Sequence, residues 1–343
     1  MTTRSEIGEG PAIVERLHDT AAGLIASVTT EILRRRISVV VIAARGTSDH
    51  AALYAQYILG SRNGLPVALA APSLTSLYGT APKLRNAAVI GISQSGRSPD
   101  VVAVLADARR QGALTVAITN DPGSELAASA DVVVDLHAGT EHGVAATKTY
   151  LAEIAVIAML SGALSADGAS RAELRALPAA LRDALAVEDR VVELAHAWSA
   201  EDRSIVLARG FQYATAREWA LKLKELALMV AEPYSGADFE HGPIALIEAG
   251  YPVLAVVTSG AAFRGMADLL GRLRAIGARL IVLSDDDDIL RLGDGIPLPI
   301  GVPEWLAPLV AIVPAQLFAY HLSVARGLDP EAPRNLRKIT LTT

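Results

Sequence analysis

The 343-residue sequence contains no cysteine, which removes disulfides, a thiolate nucleophile and zinc–sulfur ligation from consideration. Aromatic residues are only 4% of the chain, so its cores must be built from Ala, Val, Leu and Ile, which the 51% hydrophobic content supplies. Positive charge is not concentrated. The net charge is −6 and there is no long basic run, which argues against nucleic acid as the main partner. No apolar run reaches about 18 residues without a charge or a breaker, so no membrane span is expected. The polar residues Thr2 to Glu6 stand where a signal peptide would turn apolar. A soluble, cytoplasmic protein is the expectation.

What is present is an alternation of strands and helices. Apolar runs at 37–43, 66–71, 87–92, 114–119 and 132–136 read as buried parallel strands with helices in the gaps, a doubly wound α/β sheet. Residues 6–36 read as helix, with Ile13, Leu17, Ala21 and Leu24 on one stripe. A turn at Arg45–His50 precedes a helix expected over 51–59. An Ala-rich helix is expected over 144–164, followed by a charged helical stretch over 170–198 that opens on Ser170-Arg171-Ala172-Glu173, a capping-box pattern.

The plan then repeats. The strand 204–208 with Arg209-Gly210 matches the first strand with Arg45-Gly46, and 252–257 with Thr258-Ser259-Gly260 matches 87–92 and its loop. The run 280–283 with Ser284-Asp285 matches 115–119 with Asn120-Asp121. Three correspondences in the same order indicate two copies of one domain. The expected organisation is a helical segment over 1–36, a domain over 37–170, a helical connection over 171–200 and a second domain over 201–343.

Ser93-Gln94-Ser95-Gly96-Arg97-Ser98-Pro99-Asp100 joins the strand 87–92 to a helix expected over 101–110. Free backbone N–H groups and the positive dipole end of that helix would make an anion site among small side chains. The loop alone does not separate this from an ordinary Ser-rich helix cap. It fits neither the Walker nor the dinucleotide pattern. The second copy's loop, with Thr258 and Ser259 followed by Ala261-Ala262-Phe263, is the poorer anion site, so one good phosphate loop per chain is expected. The run Asp285–Asp288 reads as solvated surface, because consecutive acids on a loop point in different directions.

An apolar helix expected over 214–230 carries Glu218, Lys222 and Glu225 on one narrow stripe. Glu218 and Lys222 are at a favourable pairing distance. That leaves Glu225 without a mate on its own helix, and a carboxylate in a cleft of low polarity suits a general base. His241 sits in Glu240-His241-Gly242-Pro243, a rigid turn where a histidine can be surface, capping or functional. The chain ends in a basic stretch, Arg334 to Lys338, followed by a strand-like Ile339–Leu341.

Six stretches, taken in order, resemble the tandem sugar-isomerase (SIS) domains, specifically the isomerase half of glucosamine-6-phosphate synthase. They are Gly46-Thr47-Ser48, Ser93-Gln94-Ser95-Gly96, Gly143 to Lys148, Ala220 to Glu225, His241-Gly242-Pro243 and Pro333 to Lys338. The resemblance implies two doubly wound SIS domains in tandem. It implies that Ser93, Gln94, Ser95 and Ser98 hold a sugar phosphate, and that Thr47, Ser48, the Val144 backbone and Lys222 bind the sugar. Glu225 would move a proton between carbons 1 and 2, His241 would assist ring opening in a partner subunit, and Lys338 would belong to a closing tail. No metal and no organic cofactor is implied.

The reaction is less uniform in its signals. The absence of cysteine and of a glutaminase domain in this sequence argues against taking ammonia from glutamine. Ala44–Ala51, Ala70–Ser73 with Tyr78-Gly79, and Gly96–Asp100 are similar to the shorter SIS-type glucosamine-6-phosphate deaminases, whereas Gly139-Thr140-Glu141 and Pro333-Arg334-Asn335 are closer to the synthase. The expectation is an amino-sugar phosphate isomerase and deaminase acting on glucosamine 6-phosphate, as a homodimer with shared active sites. The alternatives are a galactosamine-6-phosphate deaminase, a fructosamine-phosphate deglycase, and a non-catalytic sugar-phosphate sensor.

Overall fold

The structure, a computed structural model, describes residues 2–338, and the strand-like segment Ile339–Leu341 lies outside them. The chain divides into two compact bodies. The first comprises Ala12–Glu141, Lys148–Arg175 and, of the described C-terminal residues, Arg337 and Lys338. The second comprises the described residues from Thr2 to Pro11, then His142–Thr147 and Ala176–Leu336.

Each body holds one five-stranded parallel sheet. In the first, β1 (Val40–Ala43), β2 (Val67–Leu69), β3 (Ala88–Ile92), β4 (Leu114–Thr119) and β5 (Val132–Asp135) lie in the order β2-β1-β3-β4-β5. In the second, β6 (Arg203–Ala208), β7 (Val230–Ser235), β8 (Pro252–Val257), β9 (Arg279–Ser284) and β10 (Asp294–Pro297) repeat it as β7-β6-β8-β9-β10. The tandem doubly wound plan is therefore observed. In both sheets the winding reverses between the first and third strands, and the crevice outside their carboxyl ends is where α/β sheets bind ligands.

The central strands β3, β4 and β8 are buried along their whole length, as continuous apolar runs in a two-face-covered sheet should be. In the first body the helix Thr47–Asn63 packs on Lys148–Ser165, while Pro99–Arg110 packs on β3, β4 and Glu125–Ala128. In the second, Gln212–Ala227 packs on Ala307–Ala325, where Trp219 meets Phe318 edge to face at 5.8 Å. The opposite layer is aliphatic, with Leu269, Leu270 and Leu273 of Phe263–Ile276 against Val253, Ala255 and Val282.

Several local expectations change. The N-terminal region is three helices, Thr3–Ile7, Gly10–Thr20 and Ala22–Arg34. The break at Ala21 rotates the stripe, so Ile25 is buried where Leu24 was expected to be. The helix after β1 starts at Thr47, so the expected turn is already its first turn. The Ala-rich helix starts at Lys148, leaving Gly143–Thr147 as loop. Ser170 lies inside the helix Gly168–Leu185, and its N–H is taken by Asp167, so the capping box does not form.

Strands β7 and β10 were not anticipated. Both are sheet edges and carry Pro233, Glu232, Asp294 and Pro297, residues that edges tolerate and that hide a strand pattern. Pro314 does not end Ala307–Ala325, which runs through it. That helix and Lys148–Ser165 are each long and apolar enough to cross a membrane, but each is 83% buried in the fold, as core helices are.

Candidate functional site

The β3 loop occupies the crevice of the first sheet. Ser93 extends the pairing, its N–H donating to Ile118 O at 3.1 Å, and the Gln94 carbonyl is fixed by the Asn120 N–H at 3.1 Å. Gly96 then turns with φ +62°, and its N–H donates to the Ser93 hydroxyl oxygen at 3.2 Å. A Cβ at Gly96 would fall 2.0 Å from Ser124 Oγ, so no side chain fits there. Ser95 Oγ accepts from the Arg97 N–H at 3.3 Å. Ser98 holds the cap position of Pro99–Arg110, yet its side chain makes no capping bond.

These details decide what the loop can do. Among the described residues the hydroxyls of Ser93, Ser95 and Ser98 accept or stay uncommitted, and none donates its proton. A helix cap uses the hydroxyl as an acceptor, whereas an anion needs donors. The loop presents three unspent O–H donors and the Gln94 amide at a helix N-terminus. The anion-site reading therefore fits the geometry better than the plain cap does.

Across the same crevice, β1 feeds Thr47–Asn63 through Gly46. Arg45 donates from Nε to Asp100 Oδ2 at 2.6 Å, tying the β1 loop to the start of the helix after β3. Asp100 is 1% exposed and also accepts from the Val101 N–H, so the guanidinium offsets a buried charge. Arg97 instead faces Asp121 at 3.3 Å on the exposed rim. Thr47 sits half-buried at the mouth. Ser48 turns inward, its hydroxyl donating to the buried Glu153 at 2.8 Å, which leaves its backbone N–H for a ligand. The first body also seats the tail: Lys338 Nζ lies 2.9 Å from Glu141 Oε2.

The second body holds the ionisable helix. In Gln212–Ala227, Glu218 and Lys222 are 0% exposed, and Lys222 Nζ lies 3.2 Å from Glu218 Oε1. The expectation that Glu225 lacks a mate on its own helix is overturned. Lys222 also bonds Glu225 Oε2, because residues three apart share a helix face. Burial alone would lower the Lys222 pKa, but the charges of Glu218 and Glu225 outweigh it and the net direction is upward. Glu225 Oε1 makes no hydrogen bond among the described residues, and the side chain is 20% exposed. One oxygen is thus pinned and the other open.

His241 closes the short helix Gly236–Glu240 after β7, with the buried Phe239 anchoring the turn. Its ring is exposed and makes no hydrogen bond among the described residues. It does not meet Glu225 of the same chain. Gln212–Ala227 runs antiparallel to the strands, so Glu225 in its last turn lies by the amino ends, whereas His241 follows the carboxyl end of β7. The six residues of β7 span about 20 Å at ~3.3 Å each.

Val144 lies in the His142–Thr147 segment, which is fixed from the N-terminus. The buried Glu6 carboxylate accepts the His142 N–H at 2.6 Å and the Gly143 N–H at 2.9 Å. Sequence reading missed Glu6, Glu153, Glu141 and the Arg45–Asp100 pair, because their partners are distant in the chain. The second sheet's crevice is the poorer anion site, as expected. Gly260 (φ +149°) faces the Glu304 side chain, Ser259 spends its N–H on Asp285 at 2.8 Å, and the lining adds Arg209, Gln212 and Thr258. Asp286 in the acidic run caps Asp287–Leu290.

Comparison with known proteins agrees with this layout. The SIS-domain profile matches residues 33–162 and 198–326, one sheet each. Glutamine–fructose-6-phosphate aminotransferase (isomerizing) of Thermococcus kodakarensis is 37% identical over 344 residues, covering 97% of this chain and 56% of that protein. The chain spans about half the length of the aminotransferases it matches. A solved structure from Silicibacter pomeroyi, provisionally named a phosphosugar isomerase, is 36% identical with a TM-score of 0.87, covering 96% of this chain and 99% of its own. The C-terminal domain of glucosamine-fructose-6-phosphate aminotransferase from Francisella tularensis superposes with a TM-score of 0.85 at 26% identity, covering 95% and 96%.

Proposed function

The chain belongs to the SIS-domain family, and on that premise we propose that it is a phosphosugar isomerase that deaminates glucosamine 6-phosphate to fructose 6-phosphate and ammonia. The observation that supports this most is Glu225. One carboxylate oxygen is held by a buried lysine and the other is unoccupied, the arrangement a fixed general base requires.

In this reading Ser93, Gln94, Ser95 and Ser98 donate to the phosphate, and Thr47, the Ser48 N–H and the Val144 backbone line the sugar. Glu225 takes the proton from carbon 2 of the open-chain aldehyde and returns it to carbon 1. The carbon 2 amine thereby becomes an imine. Water adds to that C=N bond, which breaks to leave the ketone and ammonia, so substrate plus water balances product plus ammonia. Lys222 keeps Glu225 in place. His241, exposed and remote from its own Glu225, would assist ring opening in a second copy of the chain. Lys338 would close over the sugar. The Arg45–Asp100 clamp joins two of the three stretches that resemble the deaminases, which favours that direction over synthesis.

Ammonia release from glucosamine 6-phosphate and galactosamine 6-phosphate tests the proposal directly. Release from glucosamine 6-phosphate is expected, and Glu225→Gln should lower it by about 10²–10⁴-fold while the phosphate loop still binds substrate. Full turnover by that variant would refute the mechanism.

A further inference from the structure

Glu141 stands out as a buried charge whose partners come from two directions. Its side chain is 0% exposed, on the loop between β5 and Lys148–Ser165. Oε1 accepts the Thr149 N–H at 3.2 Å and Oε2 accepts the Thr149 hydroxyl at 2.7 Å. These two bonds hold the carboxylate at the first turn of the helix, where an anion is favoured. They fix its position. A positive charge reaches the same carboxylate from 197 residues away, Lys338 Nζ lying 2.9 Å from Oε2.

The residues that lead to Lys338 are of a different kind. Arg334, Asn335, Leu336 and Arg337 are all exposed, and Lys338 is where the tail becomes seated, its side chain 27% exposed. Among Arg334–Lys338, Lys338 is the one residue that is not exposed, and its ammonium ends on the buried Glu141 carboxylate. The carboxylate is buried and fixed beforehand, so the lysine loses most of the positional freedom that such a side chain normally keeps.

We infer that Glu141 is the positioning residue of Lys338, the latch that seats the C-terminal tail. This deepens the function proposed above and rests on it for the role of Lys338, although the latch itself is a statement about the tail alone. A carboxylate that only stabilised the first turn of Lys148–Ser165 would not influence the tail. A latch would.

The test uses the full chain with Glu141→Gln and Glu141→Asp. Glutamine keeps the shape and a contact to Thr149 but removes the charge that holds Lys338. Two readouts are compared: ammonia release from glucosamine 6-phosphate, and the rate of trypsin cleavage at Arg337 and Lys338. Glu141→Gln should lower kcat by about 10–100-fold, the scale of a misplaced catalytic group, with KM changed by less than about threefold. Cleavage in the tail should accelerate several-fold, and Glu141→Asp should recover part of both. Combining Glu141→Gln with Lys338→Gln should cost no more than the lysine change alone, because the two act as one unit. Wild-type kcat with unchanged tail cleavage in Glu141→Gln would overturn the inference, as would additive effects in the double variant. If the wild-type chain released no ammonia from any sugar phosphate, the proposed function would fall, and tail cleavage would still decide the latch. Should Glu141→Gln fail to fold, Lys338→Gln breaks the same contact from the exposed side, and trypsin cleavage at Arg337 should then accelerate several-fold, whereas an unchanged rate would overturn the latch.

Discussion

Replacing Lys222 by methionine removes a cation from between two carboxylates, one of which is fully buried. At 3.2 Å the attraction to Glu218 alone is about 5 kcal/mol at an effective dielectric of 20. Desolvation of the ammonium offsets much of that, so the pair contributes little beyond a hydrophobic replacement of equal volume. The single substitution behaves differently because it leaves the Glu218 carboxyl buried and deprived of Lys222. Breaking a buried pair from one side costs about 3–5 kcal/mol. For domains of this size that corresponds to a fall in Tm of roughly 6–20 °C. The control is the double variant Glu218→Gln with Lys222→Met, which removes both charges and should recover at least half of the lost stability. Thermal and denaturant unfolding measure both. In function the two variants should agree, since neither keeps Glu225 Oε2 pinned and both should lose turnover. A single variant within about 1 kcal/mol of wild type, or a double variant no more stable than the single, would refute the argument that Lys222 neutralises this helix.

Ser98→Ala should leave stability within about 0.5 kcal/mol, since the side chain makes no capping bond, yet weaken binding of a sugar phosphate or inorganic phosphate by about 10-fold in titration calorimetry. Mixing Glu225→Gln chains with His241→Asn chains should restore part of the ammonia release that each lacks alone, and no rescue would count against a site shared between copies. Glu188 has a pKa below its ordinary value, chiefly because Arg4 hydrogen-bonds it, with His321 adding a second bond. A depressed carboxyl pKa contributes stability that is present above the unfolded value and lost as pH falls through the folded one. Glu188→Gln should therefore flatten the loss of stability on acidification below about pH 4.5, measured by Tm against pH.

The central strands were legible because each is a run of β-branched and aliphatic residues with no competing signal. β8 begins and ends where its sequence says, and so does β4. The edges were not. β7 reads Val-Ala-Glu-Pro-Tyr-Ser and resembles a loop, because an edge strand needs apolar side chains on fewer sides and tolerates proline. At the site, motif and spacing located the loop, the helix stripe and the histidine turn. They misjudged Glu225, although the i, i+3 spacing to Lys222 was available in the sequence and predicts the pairing. They also placed Thr47 and Ser48 in a turn. A Gly at φ +54° can cap a helix without a side chain, which leaves no Ser or Asp signature at the cap itself.

What lay beyond sequence reading is a second layer of carboxylates. Ser48 rests on Glu153, the segment bearing Val144 on Glu6, the β1 and β3 loops on Asp100 through Arg45, and Lys338 on Glu141. The pattern has a physical cause. Ligand-binding loops of parallel α/β sheets leave backbone N–H groups and hydroxyl protons unsatisfied, and a carboxylate offers about four acceptor positions against one or two for any neutral side chain. Its burial is tolerable only where several donors converge, which is why Glu6 takes two adjacent backbone N–H groups and Glu141 takes the Thr149 N–H, the Thr149 hydroxyl and the Lys338 ammonium. The same reasoning makes isosteric amides poor substitutes at these positions. A glutamine at Glu6 would set its own NH₂ against the His142 or the Gly143 N–H, replacing an acceptor by a donor that faces another donor. Such a change should disturb the loop more than its shape suggests, by about 1–3 kcal/mol for the unsatisfied bond.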